Sequence, residues 1–203
     1  MTTPSAFSTS FEVSRLHLPI AESFLSFVAR YEEAVPQLDA AHLAELESRE
    51  ASWEEMLAFI EISAPHGFLI YWKNDVHPVM SMAGDDLPCF AYLMGNHTIA
   101  ERMFRFNPLA MMYAPLRTVI WEDRSGQGWF AIDRPSTLFG SMGDPAIAAV
   151  GARLVQPQGT LLEAGGIVWQ NGHLQSYARD ASPLTAEANF LCAGMISGRV
   201  HNV

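Results

Sequence analysis

The segment 92–133 most constrains the fold, because it predicts a strand end, a helix and a hairpin in immediate succession. An apolar run over Cys89–Met94 predicts a buried strand, which Gly95-Asn96 breaks. A helix follows, and Asn107-Pro108 ends it. The chain then returns as two strands on either side of a glycine turn, at Leu116–Trp121 and Trp129–Asp133.

The preceding residues predict one more strand and three helices before a further short strand. Alternating bulk over Phe11–Leu18 indicates a strand, and Pro19 is expected to open a helix over 20–35 that Pro36 stops. A second helix is expected over Ala40–Arg49. Ser52 with Glu55 forms a capping box for a third helix, which is followed by the β-prone run Phe68–Trp72. The third helix is expected to bury Trp53, Met56, Leu57 and Ile60.

These elements together favour an α+β fold. The predicted strands are grouped with helices between them, but long buried strands do not alternate regularly with helices. This pattern argues against a doubly wound sheet. We therefore expect two layers, an antiparallel sheet with helices packed on one face. The predicted organisation is a frayed N-terminus over 1–10, one α+β domain over 11–155 and a C-terminal extension of uncertain structure over 156–203. A short helix is expected over 146–154, and Asn171-Gly172 marks a hairpin within Gly166–Gln175.

Composition excludes several classes of function. The formal net charge is −10, which argues against binding nucleic acid or an anionic membrane surface. No run of about 18 apolar residues is present, so no membrane span is predicted. Cys89 and Cys192 are too few for a disulfide framework. With no secretory signal in the opening residues, the expected location is the cytoplasm.

Several short motifs resemble those of DUF302 domains. They are Gly95-Asn96, the step at Tyr113–Arg117, Glu122-Asp123 with Gly126 and the hairpin exit at Asp133–Ser136. The resemblance spans roughly Phe11 to Leu154 and implies a two-layer α+β fold related to the TATA-binding-protein-like architecture, usually as a homodimer. It implies no established reaction. His97 stands where the family often has proline, and the last forty or so residues differ from the short closing helix that the family implies.

His97 and Arg117 are the candidate catalytic residues. His97 stands at a helix start, capped by Asn96 or Thr98, where the helix dipole is expected to lower an imidazole pKa. It could act as a base or ligate a metal, or be an ordinary capping or turn histidine. Arg117 could hold a carboxylate or phosphate, or pair structurally with Glu122, Asp123 or Asp133.

A methionine-rich region surrounds these two residues and suggests an apolar pocket. Six of the ten methionines lie between positions 80 and 112. Methionine lines adaptable apolar sites, although a simple core is the plainer interpretation. The predicted ligand-contacting residues are Asn96, Met94, Met103, Met112, Tyr113 and Trp121.

Three hypotheses follow from these candidates. The favoured one is a homodimeric module that binds a small apolar organic molecule in the methionine- and aromatic-lined pocket. The second is an enzyme of lyase, isomerase or cyclase type, with His97 as general base and Arg117 as anion clamp. The third is a structural homodimer without ligand. No histidine spacing typical of zinc or iron sites occurs, so no metal is predicted, and the sequence names no cofactor.

Overall fold

A five-stranded antiparallel sheet forms the centre of the computed structural model, which describes residues 5–144 and Ile147 and the backbone at 153–155, 161–164, 166–168 and 174–176. The strands lie in the order β1-β5-β4-β3-β2, and every neighbouring pair is antiparallel. They are β1 Arg15–Pro19, β2 Leu69–Asp75, β3 Cys89–Gly95, β4 Leu116–Glu122 and β5 Gly128–Asp133. The predicted two-layer α+β architecture is confirmed.

Six α-helices accompany the sheet in the described part of the chain. They are α1 Phe24–Ala34, α2 Ala40–Ser48, α3 Trp53–Ser63, α4 His77–Met80, α5 His97–Phe104 and α6 Pro135–Gly140. Two 3-10 turns, Ser81–Ala83 and Pro108–Met112, follow α4 and α5. Among the described residues, no helix has the length and apolar character needed to cross a membrane.

Helix α1 covers one face of the sheet. Its apolar positions repeat at three and four residues, so Phe24 and Val28 share a buried stripe. This stripe meets the alternate residues of the central strands, among them Tyr92, Ile120 and Ile132. The main hydrophobic core of the described residues therefore lies between α1 and one sheet face, with α6 contributing Leu138 and Phe139.

Helices α2 and α3 form a second, smaller cluster with the start of β2. Ile60 and Ala64 pack there with the fully buried Leu69. The predicted capping box is present, because Ser52 accepts from the Glu55 amide while the Glu55 carboxylate accepts from the Ser52 amide. The prediction that α3 buries Trp53 and Leu57 is wrong: both are exposed, since the small cluster reaches only one narrow side of the helix.

The N-terminal strand and α1 begin later than predicted. Strand β1 starts at Arg15, which is paired with Asp133, the last residue of β5. Pro19 does not open the helix, because it remains in β1 opposite Trp129. The helix begins at Phe24 instead, where the Ser23 hydroxyl accepts from the Ser26 amide.

Two short antiparallel pairs follow the sheet. Strand β6 Arg153–Val155 pairs with β7 Leu161–Ala164, and β8 Gly166–Val168 pairs with β9 Leu174–Ser176. The second pair matches the hairpin predicted around Asn171-Gly172, although the turn itself lies outside the described residues. Positions 153 and 154 belong to β6, not to the helix predicted over 146–154. The remainder of that predicted helix, apart from Ile147, also lies outside the described residues.

The second face of the sheet is open along β1, β5 and β4 in the described part of the chain. Thr118 and Ile120 of β4 are fully buried on the α1 side. The period of two along a strand sends the intervening Arg117, Val119 and Trp121 to the opposite side. Arg117 is exposed there, and its β4 neighbours on that side are only partly covered.

Replacing Leu69 with alanine should destabilise the fold, because this side chain is 0% exposed. We expect the free energy of unfolding to fall by about 2–5 kcal/mol, as is typical when a buried leucine leaves a cavity. Leu25→Ala is the matched control, since Leu25 is 71% exposed. Urea denaturation of both variants checks this, and equal losses would contradict the assignment of Leu69 to the core.

Candidate functional site

The junction of β3 and α5 is held by the Asn96 side chain. Its carbonyl oxygen accepts from the amides of Thr98 and Ile99 at 2.8 and 3.3 Å and from the Thr98 hydroxyl at 2.7 Å. Its amide nitrogen donates to the Gly67 carbonyl at 2.9 Å. The sequence predicted either Asn96 or Thr98 as the helix cap, and the structure shows that Asn96 is the cap. Asn96 also ties α5 to the loop before β2. These bonds occupy the polar groups that a ligand would need.

Gly95 is required by close packing at the same junction. A Cβ atom added there would lie 3.1 Å from Cε2 of Tyr71 and 3.2 Å from Cβ of Pro115. Both distances are tighter than ordinary van der Waals contact. The Gly95-Asn96 pair therefore has a structural explanation, because glycine admits Tyr71 and Pro115 while asparagine caps the helix.

His97 packs beside Tyr71 and is about half buried. The two rings stack with centroids 4.9 Å apart, and the Tyr71 hydroxyl shares a 2.9 Å hydrogen bond with Nδ1 of His97. Burial lowers the pKa of His97, and the charge of Glu47 opposes this by raising the pKa. The lowered pKa agrees with the prediction, and burial is its leading cause.

Met94, Met103 and Asn96 line one small cavity between α5 and the sheet. Its volume is about 30 Å³, and the rest of its lining is largely apolar. Organic ligands occupy pockets of roughly 300–1,000 Å³, whereas a space of about 30 Å³ holds only one or two water molecules. The cavity brings three predicted ligand residues together but leaves almost no room between them.

The remaining predicted ligand residues lie elsewhere. Met112 is 73% exposed on the 3-10 turn after α5. The Tyr113 ring meets Phe11 and Phe139 edge to face, with centroids 6.0 and 6.3 Å apart. Trp121 lies on the open sheet face. The six residues therefore do not form a single pocket.

A cleft on the open sheet face contains both Trp121 and the predicted catalytic Arg117. Its volume is about 320 Å³, and we call it the open-face cleft. Val119 and Ala131 sit opposite each other on β4 and β5 and form its floor. Trp121 forms one side, stacked on Trp129 at 6.2 Å and met edge-on by His17 at 5.7 Å. The cleft thus has an apolar floor and an aromatic wall.

The other side of the open-face cleft is charged. Arg15 of β1 makes a bidentate ion pair with Asp133 of β5 at 2.6 and 3.1 Å. Hydrogen bonding and the charge of Asp133 raise the pKa of Arg15. Arg117 of β4 lies next to this ion pair. Thr118 pairs with Ile132 in the β4–β5 register, so Arg117 lies opposite Asp133. Arg117 makes no ion pair or hydrogen bond with any described residue, so its guanidinium is free in this wall.

The structure separates the two predicted catalytic residues. His97 bonds to Tyr71 at the start of α5, whereas Arg117 lines the open-face cleft. No hydrogen bond, ion pair or ring contact joins them among the described residues. The predicted combination of His97 as general base and Arg117 as anion clamp on one substrate therefore has no geometric support among the described residues.

A further cleft, of about 450 Å³, includes Cys89, His77, Asp75 and Glu122 in its lining. Burial and the nearby Asp75 charge raise the pKa of Cys89, which disfavours a reactive thiolate. The described residues contain no cluster of three or more acidic, histidine or cysteine side chains arranged to hold a metal. This cleft therefore offers weaker chemistry than the open-face cleft.

Sequence reasoning missed Arg15, His17, Val119 and Ala131 of the open-face cleft. The available signal was the period of two, since Arg15 and His17 are alternate residues of the strand predicted at Phe11–Leu18. Which face each set occupies, and which strand lies beside which, depends on long-range pairing.

Comparison with known proteins identifies a family and similar solved structures. The family model described as "Domain of unknown function DUF302" matches residues 44–163. The crystal structure of an uncharacterised conserved DUF302 protein from Bacillus stearothermophilus shares 18% identity, over 67% of this chain and 85% of that chain, with a TM-score of 0.47. No curated protein matches the chain.

The imidazole of His97 should titrate with a midpoint below the ordinary value of 6.5, because burial disfavours its charged form. The unfolded chain then binds the proton more readily than the folded one. Stability contributed by neutral His97 is therefore present above pH 6.5 and is lost as the pH falls through the folded-state pKa. His97→Gln should lack this part of the pH dependence in urea denaturation.

NMR titration of the His97 ring gives the midpoint directly. Tyr71→Phe is the informative control, because it keeps the stacked ring and removes only the hydroxyl bonded to Nδ1. If burial is the main cause, the midpoint stays below 6.5 in this variant. A wild-type midpoint at or above that value would contradict the expectation.

Proposed function

The chain belongs to the DUF302 family, a domain family of unknown function, and on that premise we propose that it binds a small organic molecule in the open-face cleft. The observation that carries the proposal is the composition of this cleft. An apolar floor, a tryptophan wall and a guanidinium without a partner among the described residues surround about 320 Å³, which is at the lower end of the range for small-molecule sites.

The open-face cleft is a better candidate than the methionine-lined cavity. The cavity beside Met94 and Met103 is about ten times smaller, at about 30 Å³. Its polar side chain, Asn96, is engaged in capping α5. Arg117 and Trp121, in contrast, are both predicted site residues and share one cleft. The proposal therefore keeps small-molecule binding and moves it to the opposite face of the sheet.

Acid-base catalysis is the second candidate, and half-buried His97 is the observation that favours it. The lowered pKa keeps the ring neutral at neutral pH, as a general base requires. Arg117 has no contact with His97 among the described residues. The residue proposed to hold the substrate anion therefore lies away from the proposed general base. The geometry favours binding over turnover for this reason.

Filling the open-face cleft should abolish ligand binding. Val119→Trp places a large ring on the floor, and we expect affinity for any ligand of the cleft to drop by at least about tenfold. Ligand-observed NMR with a library of small organic molecules, run on the wild type and on Val119→Trp, measures this.

Asn74→Trp is the matched control for the blocking variant. Asn74 lies opposite Ala91 in the register of β2 and β3, two strands from β4 and outside the lining of the cleft. Compounds that bind the wild type should also bind Asn74→Trp. If no compound distinguishes the wild type from Val119→Trp, the proposal fails.

Homodimerisation is favoured separately by an apolar strip on the surface. Five side chains at the end of α5 and in the following 3-10 turn are 40–73% exposed: Phe104, Phe106, Leu109, Met111 and Met112. Apolar side chains concentrated in this way are typical of an association surface. We propose that a second copy of the chain covers this strip.

Phe106→Glu should shift the chain towards the monomer, because a buried unpaired carboxylate opposes association. Sedimentation-velocity centrifugation of the wild type and the variant measures the shift. Ile62→Glu is the control, since Ile62 is also exposed but lies on α3. A monomeric wild type, or a Phe106→Glu dimer as stable as the wild type, would contradict this interface.

A further inference from the structure

Arg117 assigns a chemical class to the occupant of the open-face cleft, an inference that rests on the proposed function. We infer that the cleft takes a flat apolar molecule carrying one carboxylate, with the carboxylate on the guanidinium of Arg117 and the flat body on the floor beside Trp121. The argument depends on the free donors of Arg117, on the charge of the wall and on the shape of the floor.

The three acidic groups that the sequence predicted as partners of Arg117 are engaged elsewhere or face away. Asp133 binds Arg15 through both oxygens. Asp123 accepts from Ser125, Gln127 and the Trp129 indole, and these bonds lower its pKa to about 2. Glu122 belongs to the lining of the cleft around Cys89. Arg117 therefore has its planar fork of donors available to a ligand.

A guanidinium with this freedom suits a carboxylate. Its parallel N–H groups match two carboxylate oxygens, which gives both orientation and affinity. The chain carries a formal net charge of −10. The Arg117 guanidinium, which has no partner among the described residues, is therefore a local exception to the overall negative charge. An anionic ligand complements that exception.

A single carboxylate fits better than a phosphate. The lining of the open-face cleft contains two arginines and no lysine, and Asp133 already neutralises Arg15. A phosphate monoester brings nearly two negative charges, which one free guanidinium beside the Asp133 carboxylate balances poorly. The expected order of affinity is carboxylate, then phosphate.

The floor favours a flat body. Val119 and Ala131 are short side chains between the tall Trp121 and the charged wall. A planar apolar ring lying along this floor meets Trp121 and removes apolar surface from water on two sides. Arg117 stands two residues from Val119 on the same strand face, close enough for a carboxylate attached to that ring.

Isothermal titration calorimetry with 2-naphthoate, 2-naphthamide and 2-naphthyl phosphate tests the assignment. The acid and the amide have nearly the same shape, so their difference isolates charge. We expect the wild type to bind 2-naphthoate about tenfold more tightly than the amide. This ratio is at the lower end of the contribution expected from charged hydrogen bonds, because Arg117 is exposed to solvent. The phosphate should bind more weakly than the acid.

Arg117→Gln should abolish the preference for the acid, so that 2-naphthoate and 2-naphthamide bind this variant about equally. Arg124→Gln is the matched control, because it removes the same charge from the exposed turn after β4, outside the lining of the cleft. The control should retain the wild-type preference. Loss of the preference in both variants would show a general charge effect and overturn the role of Arg117.

The remaining outcomes separate the two proposals. If acid and amide bind the wild type equally and Val119→Trp weakens both, the carboxylate assignment fails and small-molecule binding stands. If the phosphate binds more tightly than the acid, the carboxylate class is wrong. If none of the three compounds binds, the carboxylate assignment fails, and the library comparison of the wild type with Val119→Trp decides small-molecule binding separately. If the compounds bind but Val119→Trp changes nothing, they lie outside the open-face cleft and the carboxylate assignment fails.

Discussion

The burial of one sheet face by α1 is the constraint on which the rest of the structure depends. That face carries hydroxyl groups as well as apolar side chains, and each hydroxyl is satisfied inside the layer. Tyr31 and Thr118 share a hydrogen bond of 2.9 Å, and Tyr92 donates to Glu32 at 2.8 Å. Burial raises the pKa of Tyr31 to about 12, so the phenol keeps its proton. With these groups paired, the described part of the layer closes without an unsatisfied hydroxyl at its centre.

Closure of one face determines the character of the other. Side chains alternate between the two faces along each strand. The neighbours of each residue that packs against α1 therefore lie on the open face. On β4, the burial of Thr118 and Ile120 presents Arg117, Val119 and Trp121 together. The open face therefore combines charge and aromatic surface in a way that a closed core would not tolerate. Small-molecule binding is the use that this combination supports best.

The β3–α5 junction illustrates how a short motif can be structural. Gly95 and Asn96 attract attention in the sequence because such a pair breaks a strand before a helix. Gly95 is explained by sterics, because it leaves room for the Tyr71 ring. Asn96 is explained by helix capping, because it accepts hydrogen bonds from the first amides of α5. His97 then stacks on the same Tyr71. The Gly95-Asn96 motif thus shapes the β3–α5 junction, while the open-face cleft, with a guanidinium that has no partner among the described residues, lies on the other side of the sheet.

Local sequence patterns determined the elements of this protein, and tertiary pairing decided its candidate site. The capping box at Ser52, the strand at Cys89 and the hairpin of β4 and β5 were all readable, because propensity, caps and turns act within a few residues. The cleft was not readable, because it depends on the strand order β1-β5-β4. That order brings Arg15 to Asp133 across 118 residues of chain, and Arg117 then has no acidic partner among the described residues. Strand order follows from the packing of the whole sheet against α1, which no local window contains.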